Sequence, residues 1–203
     1  VEDTVTHRLP PIPTGFSPSL AADDQLAESW LAEATLRLRR EISWLWHQRG
    51  RLRTADDSEP QGLPPTTEDL FESLELGRFE GEKRRMFATD PTALHLSERI
   101  ATLRETRVAI PGPWLAIVDR LGLDDSAQLV LALGLLARVD PASGAVFAAC
   151  RNDVARTAPT LALAQRLYAD PGSLQAFNDD SAQVLFRHAL LIASAEHSAD
   201  ATI

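Results

Sequence analysis

The stretch DDSAQLVLALGLLARVDP, Asp124 to Pro141, is the most apolar part of an otherwise acidic chain, and its reading decides the fold. It is apolar only from about Ala127 to Leu136, between Asp125 and Arg138. A bilayer crossing needs about 20 apolar residues, so the run is too short to span and reads as a buried helix. Leu129, Leu133 and Leu136 follow helical spacing on one face, and Val130, Leu131 and Leu135 widen it. A helix apolar nearly all round must be covered on several sides. The segments around Ile117, Phe147 and Leu163 are the candidate neighbours. Asp125 with Gln128 resembles a capping box. Gly134, in mid-helix, costs about 1 kcal/mol against alanine, and close approach of a neighbouring helix would explain it.

Around this run lie short amphipathic segments. PGPWLAIVDRLGL predicts a helix with Trp114, Ile117, Val118 and Leu121 inward and Gly122 as its stop. Asp140–Pro141 starts a helix through Phe147 and Cys150, and Pro159 starts PTLALAQRLYAD. DPGSLQAF predicts one more short helical turn. VLFRHALLIAS predicts a helix end followed by one short strand. Upstream, Asp23 to about Arg53 is helical, with Leu31, Leu38, Leu45 and Leu52 every seven residues and Ala34, Thr35 and Ile42 beside them. That stripe calls for one apolar partner helix. Asp24 caps its start and Gly50 weakens its last turn. Thr67 with Leu70, Phe71 and Leu74 predicts a short helix, broken by Gly77 and Gly81. Pro91 to Arg107 predicts a helix antiparallel to the first.

The fold class that follows is mainly α: an extended Pro-rich tail over 1–22, a helical hairpin region over 23–107, and a helical domain with little β over 108–203. The last part is compatible with a winged-helix-like arrangement, and equally with a generic helical domain.

The chain has 203 residues, a net charge of −9 and one cysteine. An acidic chain is repelled by phosphate backbones and anionic lipid, and a lone Cys150 forms no internal disulfide. The expectation is a cytoplasmic protein with no membrane association. Lys83 is the only lysine and stands between Glu82 and Arg84, so there is no P-loop. The sequence shows no dinucleotide-binding glycine fingerprint, no zinc helix and no nucleophile elbow. His7, His47, His95, His188 and His197 are dispersed. No catalytic residue, cofactor or metal ligand is assigned, and the chain reads as non-catalytic.

One segment mixes basic and aromatic residues: RLRREISWLWHQRGRLR, Arg37 to Arg53. Such mixing can hold single strands, yet these arginines flank the leucine stripe, where a solvated face is expected. Two tryptophans two positions apart lie about 200° apart around a helix, so Trp44 and Trp46 cannot face the same helix. One is covered or is left for another protein. Trp44, Trp46, Arg49 and Arg53 are the candidate protein-interaction residues. Between Val108 and Phe177, Arg120, Arg138, Arg151, Arg156 and Arg166 are matched by Asp119, Asp124, Asp125, Asp140, Asp153 and Asp170. No basic recognition helix stands out, so a DNA-binding winged-helix regulator is the alternative reading and nucleic acid is disfavoured as a partner.

The order WLAIVDRLGLDDSAQLVLALGLLARVDPASGAVFAACRNDVARTAPTLALAQRL, followed by FNDDSAQVLFRHALLIAS, resembles the region preceding the ATPase module in bacterial AAA+ ATPases. Some of these are encoded with phage-tail-like contractile injection systems. The resemblance covers about Trp114 to Leu190. It rests on a short helix ending in RLGL, an acid before a Leu-rich helix, an acid–Pro pair, a helix ending before ND, and PT opening the next helix. It implies a winged-helix variant with helical additions. It also implies a non-catalytic, regulatory or recruiting role, and a protein partner: the ATPase module in cis or another assembly component. The P-loop, acidic metal-binding motif and arginine finger of that family would lie beyond Ile203, so no ATP-binding residue is carried over.

Overall fold

A computed structural model describes residues 24–56, 76–151, 153–168 and 179–192. Among these, every regular element is helical: α1 (Gln25–Asp56), α2 (Leu76–Thr89), α3 (Pro91–Thr106), α4 (Pro113–Leu121), α5 (Asp125–Val139), α6 (Ser143–Arg151), α7 (Leu161–Tyr168) and α8 (Asp179–Arg187). The expected tail over 1–22, the short helix around Thr67–Leu74 and the turn in DPGSLQAF lie outside the described residues.

The long first helix is the axle. Asp24 caps it, its carboxylate accepting from the Ala27 N–H at 3.0 Å. The other oxygen of Asp24 accepts from the Trp114 N–H at 2.8 Å, so the same carboxylate also caps α4. Gly112 makes this possible: a Cβ there would stand 3.2 Å from the Asp24 carboxylate. Every residue from Glu33 to Leu38 is buried, more than a full helical turn. The sequence pattern calls for one partner helix; the structure surrounds α1 instead.

The faces of α1 divide among neighbours. Leu31, Ala34 and Leu38, the expected seam residues, join the main core with α5 to α8 rather than with α3. Helix α3 packs elsewhere, setting Leu96 and Ile100 against Leu36. It runs antiparallel as expected: Ser97 meets Arg40, whereas Arg107, past its end, reaches back to Ser29 and Glu33. The regions 23–107 and 108–203 therefore share one core through α1.

Helix α5 is the centre of that core. Leu129, Val130, Leu133 and Leu136 are fully buried, packed with Leu31 and Leu38 of α1, Phe147 of α6, Leu163 of α7 and Leu185 of α8. Its cap is Asp124, one residue earlier than expected, accepting from Ala127 N–H at 2.9 Å. Gln128 does not complete a capping box; it accepts from the Trp114 indole at 3.1 Å and donates to the Leu123 carbonyl. Gly122 stops α4 as expected, with φ 63 and ψ 42, a left-handed conformation that glycine adopts freely. The α5–α6 turn is held by Asp140, which accepts from Ala142 N–H, and α7 is capped by Thr160 Oγ1.

Two expectations are corrected. Gly77 and Gly81 do not break the chain, because α2 runs through both. Met86 and Phe87 of that helix are buried against Trp44, and burial of two large side chains outweighs the roughly 1 kcal/mol helix cost of a glycine. The strand expected in VLFRHALLIAS is not formed over the described part: α8 reaches Arg187 and residues 188–192 form turns, with Ala189 at φ 54. No described helix is long and apolar enough to cross a membrane.

Candidate functional site

Helical geometry separates the two tryptophans of α1. Trp44 is fully buried, packed with Phe79, Met86, Phe87 and Ala93. Phe79 meets its ring edge-on at 5.3 Å. Trp44 is therefore the anchor of α2 and α3 on the axle, not a surface for a partner. Trp46, on the opposite side, is 69% exposed. Arg49, one turn on, is also exposed. Arg53 lies in the last turns of α1, with its side chain outside the described ones.

The arginines preceding Trp44 are not a solvated face. Arg37 and Arg40 are buried. Glu33 accepts from Arg37 Nε at 2.8 Å and pairs with Arg107. Arg37 in turn donates to the carbonyl of Leu167 at 2.7 Å, at the end of α7. The Arg107 guanidinium lies 3.7 Å over the Trp30 ring, a cation–π contact, while it pairs with Glu33. Arg40 covers Phe87 at 4.6 Å and donates to Ser97.

A second cluster forms two turns further along. Glu41 is buried and accepts from Lys83 of α2 at 2.7 Å and from Arg166 of α7 at 3.0 Å. Arg166 also donates to the Cys150 carbonyl at 2.6 Å. The two glutamates thus tie α2, α7 and the segment after α3 to the axle. Only the Glu33–Arg37 pair, at helical i,i+4 spacing, was readable in sequence. The other partners lie far apart along the chain.

Burial pushes the Cys150 thiol up to about 12, with the Glu41 charge adding to the effect. A thiol held protonated is a poor nucleophile, so Cys150 acts as a small apolar core residue. Among the described residues no group of histidine, cysteine and carboxylate side chains could hold a metal ion.

Surface concavities lie among the helices, one of about 300 Å³ between α2 and α3, bordered by Arg40, Arg84, Phe87 and Arg104. An apolar groove of about 590 Å³ runs between Leu161 and the α8 end, bordered by Phe186, Leu191 and Ile192. A smaller one of about 290 Å³ lies between the end of α6 and the start of α7, bordered by Arg151, Asp153, Arg156 and Arg166. No protein-family model, no curated protein and no solved structure matches the chain.

Proposed function

We propose that this chain is a protein-recruiting, non-catalytic N-terminal domain of a bacterial AAA+ ATPase, working in the cytoplasm beside assemblies such as contractile injection systems. The observation that carries the recruiting role is Trp46. A large indole is 69% exposed on the helix that organises the whole core, beside exposed Arg49. Tryptophan and arginine are the residues most often found to dominate protein interfaces. Arg37 and Arg40, which precede it, are buried and held by an internal ion pair and hydrogen bonds, which speaks against a nucleic-acid role for that segment.

The assignment to AAA+ ATPases rests on the sequence resemblance. The helix order supports it: α4 ends at RLGL, α5 follows its acid, α6 ends before Asn152–Asp153, and α7 opens at Thr160. A winged-helix-like arrangement of these helices belongs to the same proposal.

The test begins with the gene. A reading frame that continues past Ile203 into a P-loop is the expected result; an immediate stop codon removes the ATPase from the reading. In the full-length protein, Trp46→Asp is expected to leave ATP hydrolysis intact and to abolish association with the cognate assembly encoded beside it. Hydrolysis that collapses with Trp46→Asp in a folded protein would count against a recruiting role.

A further inference from the structure

Three arginines border the cavity between α6 and α7. Arg151 ends α6. The following loop is folded by Asp153, which accepts from the Ala155 N–H at 3.0 Å and from Arg156 Nε at 3.1 Å. Thr160, almost fully buried, caps α7. Arg166 enters from the same exposed side of α7 as Ala162, one turn earlier.

Arg166 is held from behind. Its Nε pairs with buried Glu41 and one Nη2 donor meets the Cys150 carbonyl. These anchors use only part of the guanidinium's fork of donors, and the side chain lines the cavity. An arginine fixed by an internal carboxylate loses less side-chain freedom on meeting a ligand. The first turn of α7 adds its positive end, with Thr160, Ala162 and Leu163 lining the cavity there. Asp153, paired with Arg156, lines the same rim, while Glu41 is not among the lining residues and is shared between Arg166 and Lys83.

We infer that this cavity binds a phosphate-type oxyanion, either free phosphate or a phosphorylated side chain. Planar guanidinium groups match tetrahedral oxyanions through paired N–H donors, and a volume of about 290 Å³ admits such a group readily. The inference is independent of the ATPase assignment and of Trp46.

Calorimetric titration of the chain with inorganic phosphate, at constant ionic strength set by chloride, is the test. A phosphoserine peptide and its unphosphorylated twin form the second arm. Saturable binding of phosphate alone assigns the source to the free ion; tighter binding of the phosphopeptide assigns it to a modified side chain. Arg156→Ala is expected to weaken binding about tenfold, the loss of one charge-assisted hydrogen bond. Ala162→Glu is expected to abolish it. That site is exposed and in the first turn of α7, where a carboxylate favours the helix, so folding is retained and is checked by circular dichroism. Asp153→Asn, which keeps the oxygen facing Ala155 but removes the competing charge, is expected to tighten binding. No saturable binding in either arm, or binding unchanged in both Arg156→Ala and Ala162→Glu, overturns the inference.

Discussion

Trp44 and Trp46 have the same chemistry and opposite environments, and the difference is measurable. Trp44→Ala removes a fully buried indole from the contact of α1 with α2 and α3 and is expected to cost about 3–5 kcal/mol in denaturant unfolding. Trp46→Ala, at an exposed position, should change stability by less than about 0.5 kcal/mol; a larger loss would mean that Trp46 supports the fold and not an interface. Leu133→Ala, at the centre of α5, is expected to lose about 2–5 kcal/mol. Cys150 carries a pH signature. Its thiol is raised from 9.0 to about 12 in the fold, so the unfolded chain ionises first as pH rises. This contribution is complete below about pH 9 and is lost progressively towards pH 12. Between about pH 8 and about pH 10 the native chain should lose roughly 1 kcal/mol more than Cys150→Ala. Equal losses in the two proteins would show that Cys150 ionises freely.

Among the helices, two glycines make a matched pair. A Cβ at Gly81, inside α2, would meet nothing within 4 Å and the backbone is helical. Gly81→Ala should therefore stabilise the protein by about 1 kcal/mol. Gly122 has the same open space but φ 63, a conformation that costs an L-residue about 1–2 kcal/mol. Gly122→Ala should lower the unfolding midpoint while Gly81→Ala raises it. A gain at Gly122 would contradict the left-handed stop of α4. The contrast isolates the reason α2 survives its glycines: they weaken the helix without conflicting with its shape, and packing on Trp44 supplies the rest.

Across the molecule, buried charge decides which helices dock on α1. Glu41 receives Lys83 and Arg166 from helices far apart in the chain. Glu41→Gln leaves a buried ammonium without its counter-charge and is expected to cost about 3–5 kcal/mol. The double variant Glu41→Gln with Lys83→Met should recover most of that loss, because a paired buried charge stabilises little relative to apolar packing. Equilibrium unfolding of Glu41→Gln, Lys83→Met and the double variant checks this; additive losses would deny the coupling and place the two side chains in separate environments.

Hydrophobic spacing and turn chemistry are local, so the helical class and most element positions are legible in the amino-acid order alone. The run from Ala127 to Leu136 is too short for a bilayer and too apolar for a surface, and it is the core helix. Asp24 and Gly122 mark ends that the structure keeps, whereas α6 begins at Ser143, two residues after the acid–Pro pair expected to start it. Local signals also mislead: the cap of α5 lies one residue earlier than its pattern suggests, and Gly77 and Gly81 read as breaks. Three-dimensional packing alone turns Leu31, Ala34 and Leu38 of α1 towards α5 to α8 and points Arg37 and Arg40 inward. It distinguishes Trp44 from Trp46 and gathers Arg151, Arg156 and Arg166 around one cavity. Each of these depends on which neighbour covers which side of a helix, a choice set by long-range packing and desolvation, and spacing along the chain carries no record of it.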